Sequence, residues 1–215
     1  TNGNGRRDLV WMAGFSSNRP AKGVNDKLWA RAIAFRNNGV TLAMVTIDSI
    51  GIMHEKFIAV RKSIDPSLNV DHVMFSCLHN HESPDTMGIW SNMDGVKAIL
   101  LKENYDYGYM AKVQQACKEA VEEAVRGLQP ADMILAEQEI KPDGFVDDSR
   151  KPIVYDLKVC CARFVKHGAD TTIGTMISWG NHVETLASGN SLLTSDFPNY
   201  LREGLEKGVG EPNGV

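Results

Sequence analysis

Histidines 79, 81 and 182 carry the chemistry that this sequence suggests most directly. In Leu78-His79-Asn80-His81-Glu82-Ser83-Pro84-Asp85, two imidazoles and two carboxylates crowd into one short stretch. At i and i+2 of an extended backbone, both imidazoles face the same side. Neutral imidazole is the commonest metal ligand, and zinc bonds it at about 2.0–2.1 Å. A pair of polar loop histidines bonded to Glu82 and Asp85 is the alternative reading. His182 repeats the arrangement in Gly180-Asn181-His182-Val183-Glu184, next to a glycine that permits close backbone approach. Catalytic zinc usually takes three protein ligands and a water. Asp48, Glu82, Asp85, Glu184 and Asp196 are the nearby candidates for a third. Of the six histidines, His54, His72 and His167 sit in ordinary helix, pre-strand and turn contexts and read as surface or satisfied side chains.

Both histidine stretches follow predicted strands, which can aim side chains into a cleft. Val40–Ile47 is β-rich and apolar, follows the turn signal Asn37-Asn38-Gly39 and ends at Asp48. Ala30–Phe35 is placed to pair with it as a hairpin. His54–Ile64 reads as a helix that stops before Pro66, and Val70–Cys77 as a strand running into His79. Tyr109–Leu128 has apolar residues at helical spacing, from Met110 and Val113 to Ala124 and Val125, and closes at Gly127 and Pro130. Ala131–Ile140, Ile153–Val165 and Thr171–Trp179 read as strands. Pro198–Lys207 reads as a last helix, with Ser195 and Asp196 as cap candidates and Gly208 as its stop. Strands and helices alternate, which predicts an α/β fold: a mixed sheet flanked by helices with a metal site at strand ends. Residues 1–215 are expected to form the N-terminal part of a single catalytic domain. The Gly-rich end, from Gly208, reads as a loop leading onward.

Composition narrows the function classes. The chain has 215 residues, 43% of them hydrophobic, which suffices for one sizeable core. No apolar run approaches the roughly 18 residues of a membrane-spanning helix. A net charge of −4, without a basic stripe of interleaved aromatics, argues against a nucleic-acid partner. Cys77, Cys117, Cys160 and Cys161 form no CxxC clip, and the adjacent pair is a poor disulfide candidate, so all four read as reduced.

Four blocks, in order along almost the whole chain, resemble the N-terminal catalytic domain of the neutral/alkaline (non-lysosomal) ceramidase family. The first is Ala13-Gly14-Phe15-Ser16 with Lys22-Gly23-Val24-Asn25-Asp26-Lys27-Leu28-Trp29-Ala30-Arg31-Ala32, similar to an early glycine turn and G-V-x-D-x-L-x-A-R-A. The second is Val45-Thr46-Ile47-Asp48-Ser49-Ile50-Gly51, similar to a strand ending in Asp and then Gly. The third is His79-Asn80-His81-Glu82-Ser83-Pro84, similar to H-T-H-S-G-P. The fourth is Gly180-Asn181-His182 with Ser195-Asp196-Phe197-Pro198-Asn199-Tyr200, similar to a histidine loop followed by S-G-D-x-P-x-Y. The resemblance implies a zinc-dependent amidohydrolase acting on ceramide or a related lipid amide, secreted or periplasmic, with peripheral contact to a membrane surface. It implies zinc ligands at His79 and His182, His81 beside the metal as a proton-handling group, and Arg150 reaching the substrate. The family's other ligands, a Glu and a Tyr, come from later sequence. This chain departs from the pattern after Pro84, where Asp85-Thr86-Met87-Gly88-Ile89-Trp90 replaces a glycine-rich run.

Other functions compete. The altered loop after Pro84 favours the same fold and metal acting on another amide or ester. An incomplete ligand set favours an inactive or binding relative. Gly180-Asn181-His182 with Glu184 suggests a metallophosphoesterase, but the D-x-H and G-D-x-x-D expected before it are absent. His79-Asn80-His81 matches a nuclease class in name alone, since those motif residues are widely spaced. A Cys77 nucleophile would sit inside a strand with no activating geometry.

Overall fold

The computed structural model describes residues 9–90 and 106–208. The chain divides into two compact units, one from Thr1–Leu128 with Val183–Gly214 and the other from Gln129–His182.

The first unit is built on a three-stranded mixed sheet. Strands β2 (Ala30–Asn37) and β3 (Val40–Ile47) form the expected hairpin, turning through Asn38 and Gly39 at φ 48 and 80. Two consecutive positive φ values define a turn whose twist matches that of the paired strands. Strand β4 (His72–Cys77) lies parallel to β3, from Leu42 opposite His72 to Ile47 opposite Cys77. The return for that parallel pairing is made by helix α1 (His54–Ser63) and a 3-10 turn at Pro66–Leu68. Ala43, Val45 and Ile47 alternate along β3 and are at most 3% exposed. They pack against Phe57 and Val60 of α1 and Cys117, Val121 and Val125 of helix α2 (Tyr107–Arg126). The period of 2 on β3 and of 3.6 on α2 therefore meet in one core. Asp106 caps α2 by accepting the Tyr109 N–H at 2.8 Å, and Gly127 ends it. Two-residue strands β1 (Gly23–Val24) and β8 (Leu192–Leu193) pair in parallel, and helix α3 (Phe197–Lys207) closes the unit. Of the two cap candidates, Asp196 caps α3, accepting the Phe197 N–H, and Gly208 ends it at φ 66.

The second unit is an antiparallel meander of β5 (Ala131–Glu139), β6 (Lys158–Lys166) and β7 (Thr172–Trp179). Strand β6 starts later than the predicted Ile153. Pro152 lacks an N–H, and the Asp148 carboxylate takes the Val154 N–H at 3.2 Å; pairing with β5 begins only where Leu157 O accepts the Ile140 N–H at 2.9 Å. No helix joins these strands, and the alternation of strands and helices expected from the sequence holds in the first unit only.

Candidate metal centre

Strand ends deliver the histidines, through loops rather than through the strands themselves. Just past β3, Ser49 O accepts the Asn80 N–H at 3.1 Å, and Ile50 O lies 2.9 Å from His79 Nδ1. His79 has φ 60, in the left-handed region, so the extended i, i+2 geometry expected for His79 and His81 does not hold. A non-glycine residue there is strained and needs surrounding structure to hold it. That structure is Asn80, which is fully buried. Its Nδ2 donates to Thr194 O at 2.8 Å, its Oδ1 accepts the Glu82 N–H at 2.8 Å, and its carbonyl accepts the Ser83 hydroxyl at 3.0 Å. The turn still brings the His79 and His81 rings together, with centroids 5.0 Å apart and planes at 78°.

His182 joins them where the chain re-enters the first unit. The His81 N–H donates to the carbonyl of Val183, the next residue, at 3.0 Å. One ring nitrogen from each of His79, His81 and His182 lies within 4.8 Å of the other two. Among the described residues, no other group of three or more His, Cys, Asp or Glu side chains meets that geometry. Gly180, two residues before His182, is closely approached by the Asp156 side chain. A Cβ on Gly180 would stand 2.9 Å from Asp156 Oδ2.

The candidate carboxylates are engaged elsewhere. Asp48 is buried and accepts the Trp29 N–H at 2.9 Å, the Ser195 hydroxyl at 2.6 Å and both Arg202 terminal nitrogens at 2.9 and 2.8 Å. Asp85 closes its own loop, accepting N–H groups of Met87, Gly88 and Trp90 at 2.8–2.9 Å. Glu82 accepts from Asn190 Nδ2 at 2.8 Å and pairs with Arg19. Burial pushes its carboxyl above the ordinary range, opposed by Asn190 and Arg19. Asp196 accepts from Thr185 and caps α3. Glu184 differs: its Oε2 lies 3.3 Å from His81 Nδ1.

The remaining histidines sit as expected. His54 opens α1, His72 opens β4, and His167 pairs with Asp132 at the surface of the second unit. Arg150, in the second unit, pairs with Asp148 at 3.0 Å with its side chain 86% exposed. All four cysteines are free. Burial pushes the Cys77 thiol up to about 11, the opposite of what a nucleophile needs. Sequence reading missed Arg19 and Arg202. Arg19 lies in no periodic pattern, the helical setting of Arg202 does not mark its role, and the partners of both are distant in the chain.

The donor set fits a divalent metal. Three imidazoles offer borderline nitrogen ligands suited to zinc. The Ile50 carbonyl beside His79 Nδ1 is the kind of outer partner that fixes a ligand's tautomer and leaves Nε2 for the ion.

No protein-family model and no curated protein sequence matches the chain. Solved structures do. Against the crystal structure of neutral ceramidase from Pseudomonas aeruginosa, the TM-score is 0.75 at 21% identity, over 96% of this chain and 34% of that one. Against a ceramidase complexed with C2, it is 0.73 at 19% identity, over 94% of this chain and 33% of that one. The chain spans about a third of the length of both structures. The chain therefore carries the fold of that third of a ceramidase, and its three clustered imidazoles stand on that fold.

Proposed function

We propose that residues 1–215 are the N-terminal part of a zinc-hydrolase catalytic domain of neutral ceramidase type. The reaction is cleavage of the N-acyl amide bond of ceramide or a related lipid amide. The observation that carries this reading is the convergence of His79, His81 and His182 on a ceramidase fold.

In this reading His79 and His182 hold the zinc, and further ligands lie in sequence after residue 215, as the resemblance implies. When bound, zinc supplies Lewis acidity toward the amide carbonyl and toward water. His81 handles the proton. With Nδ1 beside Glu184 Oε2 at 3.3 Å, Nε2 is the atom that accepts a proton from water and returns it to the departing amine. The Ile50 carbonyl orients His79, and the Asn80 side chain holds the strained turn between the two rings. Arg150 binds substrate. The enzyme is secreted or periplasmic and meets its lipid at a membrane surface. Among the described residues, no helix is long and apolar enough to cross a membrane.

Hydrolysis assays on the zinc-loaded protein, in a form continuing past residue 215, test the proposal. The expected result is release of fatty acid from ceramide, lost in His81→Ala with zinc retained. A second reading keeps fold and metal but changes the substrate. It rests on the loop Asp85–Trp90, which is braced by the Asp85 carboxylate. Cleavage of short acyl amides or esters with ceramide untouched would favour it. Zinc bound with no substrate cleaved would favour a binding relative.

A further inference from the structure

His81 is enclosed by a segment far from it in sequence. Ala13 donates its N–H to Ser83 O at 2.9 Å, Met12 forms an isolated bridge with Pro84, and Met12 and Ala13 are both fully buried. The segment lies against the His81 loop so closely that a Cβ on Gly14 would overlap the His81 imidazole. Phe15 meets the same ring edge-on, with centroids 4.9 Å apart. Gly14 and Phe15 both have positive φ, at 75 and 45. Two such residues in succession require outside support.

Arg19 supplies it. Its side chain is 8% exposed. Nη2 donates to Ala13 O at 2.6 Å and also to His81 O, so one nitrogen ties the segment to the histidine loop. Nη1 reaches Glu82 Oε2 at 3.4 Å, and the guanidinium lies 5.0 Å from the Phe15 ring centroid. Glu82 is fully buried and is itself held by Asn190 Nδ2, while its carbonyl accepts the Thr194 N–H at 3.1 Å. A buried guanidinium touching two carbonyls, a carboxylate and a ring face uses the planar fork that lysine lacks.

We propose that Arg19, braced by Glu82, is the positioning residue for His81: it fixes the ring against Gly14 and Phe15 so that one ring nitrogen stands near those of His79 and His182. The inference rests on the metal-centre reading for its consequence, and on geometry alone for its mechanism. Glu82 stands where the resembled motif H-T-H-S-G-P has Ser, so the brace belongs to the part of this sequence that departs from that pattern.

Hydrolysis by the zinc-loaded protein, in a form continuing past residue 215, is the test, with circular dichroism as a check on folding and zinc titration as a check on the metal. Misplacing a group that acts on the reacting atoms costs up to about 100-fold in rate. Arg19→Met is expected to lose about 10–100-fold in kcat with its fold and zinc affinity retained, and Arg19→Lys to recover only part of it. His81→Ala is expected to lose no further rate when Arg19→Met is added, because Arg19 acts through His81. Wild-type kcat in Arg19→Met, or losses that multiply in the double variant, would overturn the proposal. If Arg19→Met does not fold, Glu82→Gln, which keeps the shape, carries the same expectation and the same two contradicting results. The imidazole 15N shifts of His81, recorded without metal, keep the inference separate from the zinc reading. They are expected to move in the brace variants but not in Arg36→Met. Unchanged His81 shifts would overturn the brace, whereas absence of zinc binding in the wild type would overturn only the zinc reading.

Discussion

Strand β3 of the first unit, with six apolar residues in eight, and β5 of the second, with five in nine, have opposite fates. In β3, every second residue from Thr41 to Ile47 is buried, under α1 and α2. In β5, all nine residues are exposed, with Met133 at 58% and Leu135 at 67%. Among the described residues of the second unit, only Val165 is buried. The first unit is held by a packed core, the second by its ladders of backbone hydrogen bonds. Apolar composition thus does not by itself make a core; a covering element at the right period does. The polar loops at the ends of β3 and β4 are tied to each other and to that packed sheet by the Leu78 N–H on Ile47 O at 3.0 Å and the Asn80 N–H on Ser49 O at 3.1 Å.

Substitutions should separate the two regions. Phe57 stacks on Phe75 at 4.5 Å in the first core. Phe57→Ala is expected to destabilise the first unit by about 3–5 kcal/mol, the usual range for a buried phenylalanine. Denaturant melts followed by a first-unit probe check it. A loss under about 1 kcal/mol would mean that this core is not what holds the unit.

Asp48→Asn comes next. It removes the charge from a buried carboxylate that Arg202 grips with two nitrogens. Breaking a buried pair typically destabilises by about 3–5 kcal/mol. The lower end is expected, because Arg202 stays partly exposed. The pair ties the end of β3 to α3, so thermal melts should report the loss. A wild-type melting temperature would contradict the role given to Asp48.

Smaller still is Glu122 on α2. Its carboxyl is held below the usual range, chiefly by the Lys118 ammonium at 2.7 Å, then by the Asp65 N–H at 2.9 Å, with Arg126 adding less. A depressed folded pKa means that the unfolded chain binds more protons. This group's contribution is therefore full above the ordinary glutamate value near 4.3 and is lost as pH falls below it. Glu122→Gln should lower stability at pH 7 by about 1–2 kcal/mol and flatten the stability–pH curve below about pH 5. An unchanged acid limb would show that the group does not contribute. Leu135→Ala, on the exposed β5, should change stability by no more than about 0.5 kcal/mol. A larger loss would mean that the second unit depends on side chains after all.

This contrast also explains what could be read in advance. Period and turn chemistry placed the β2–β3 hairpin, the three helices and the strand before each histidine to within a few residues. The histidines were legible because two short polar motifs each follow an apolar run. Arg19, Arg202 and the strained turn at His79 were not legible. Each depends on partners distant in sequence, and no local period marks a buried arginine or a positive φ at a histidine. The late start of β6 was missed for a local reason, because apolar Ile153 and Val154 resemble strand while Pro152 and Asp148 withdraw their backbone from pairing.

The central claim is that His79 and His182, with His81 beside them, hold zinc. Zinc bound per chain, measured on the purified protein after dialysis, tests it most directly. One equivalent is expected in the wild type, with stoichiometric binding lost in His79→Ala and in His182→Ala while Leu135→Ala keeps it. No bound zinc in the wild type, or full occupancy in both histidine variants, would contradict it.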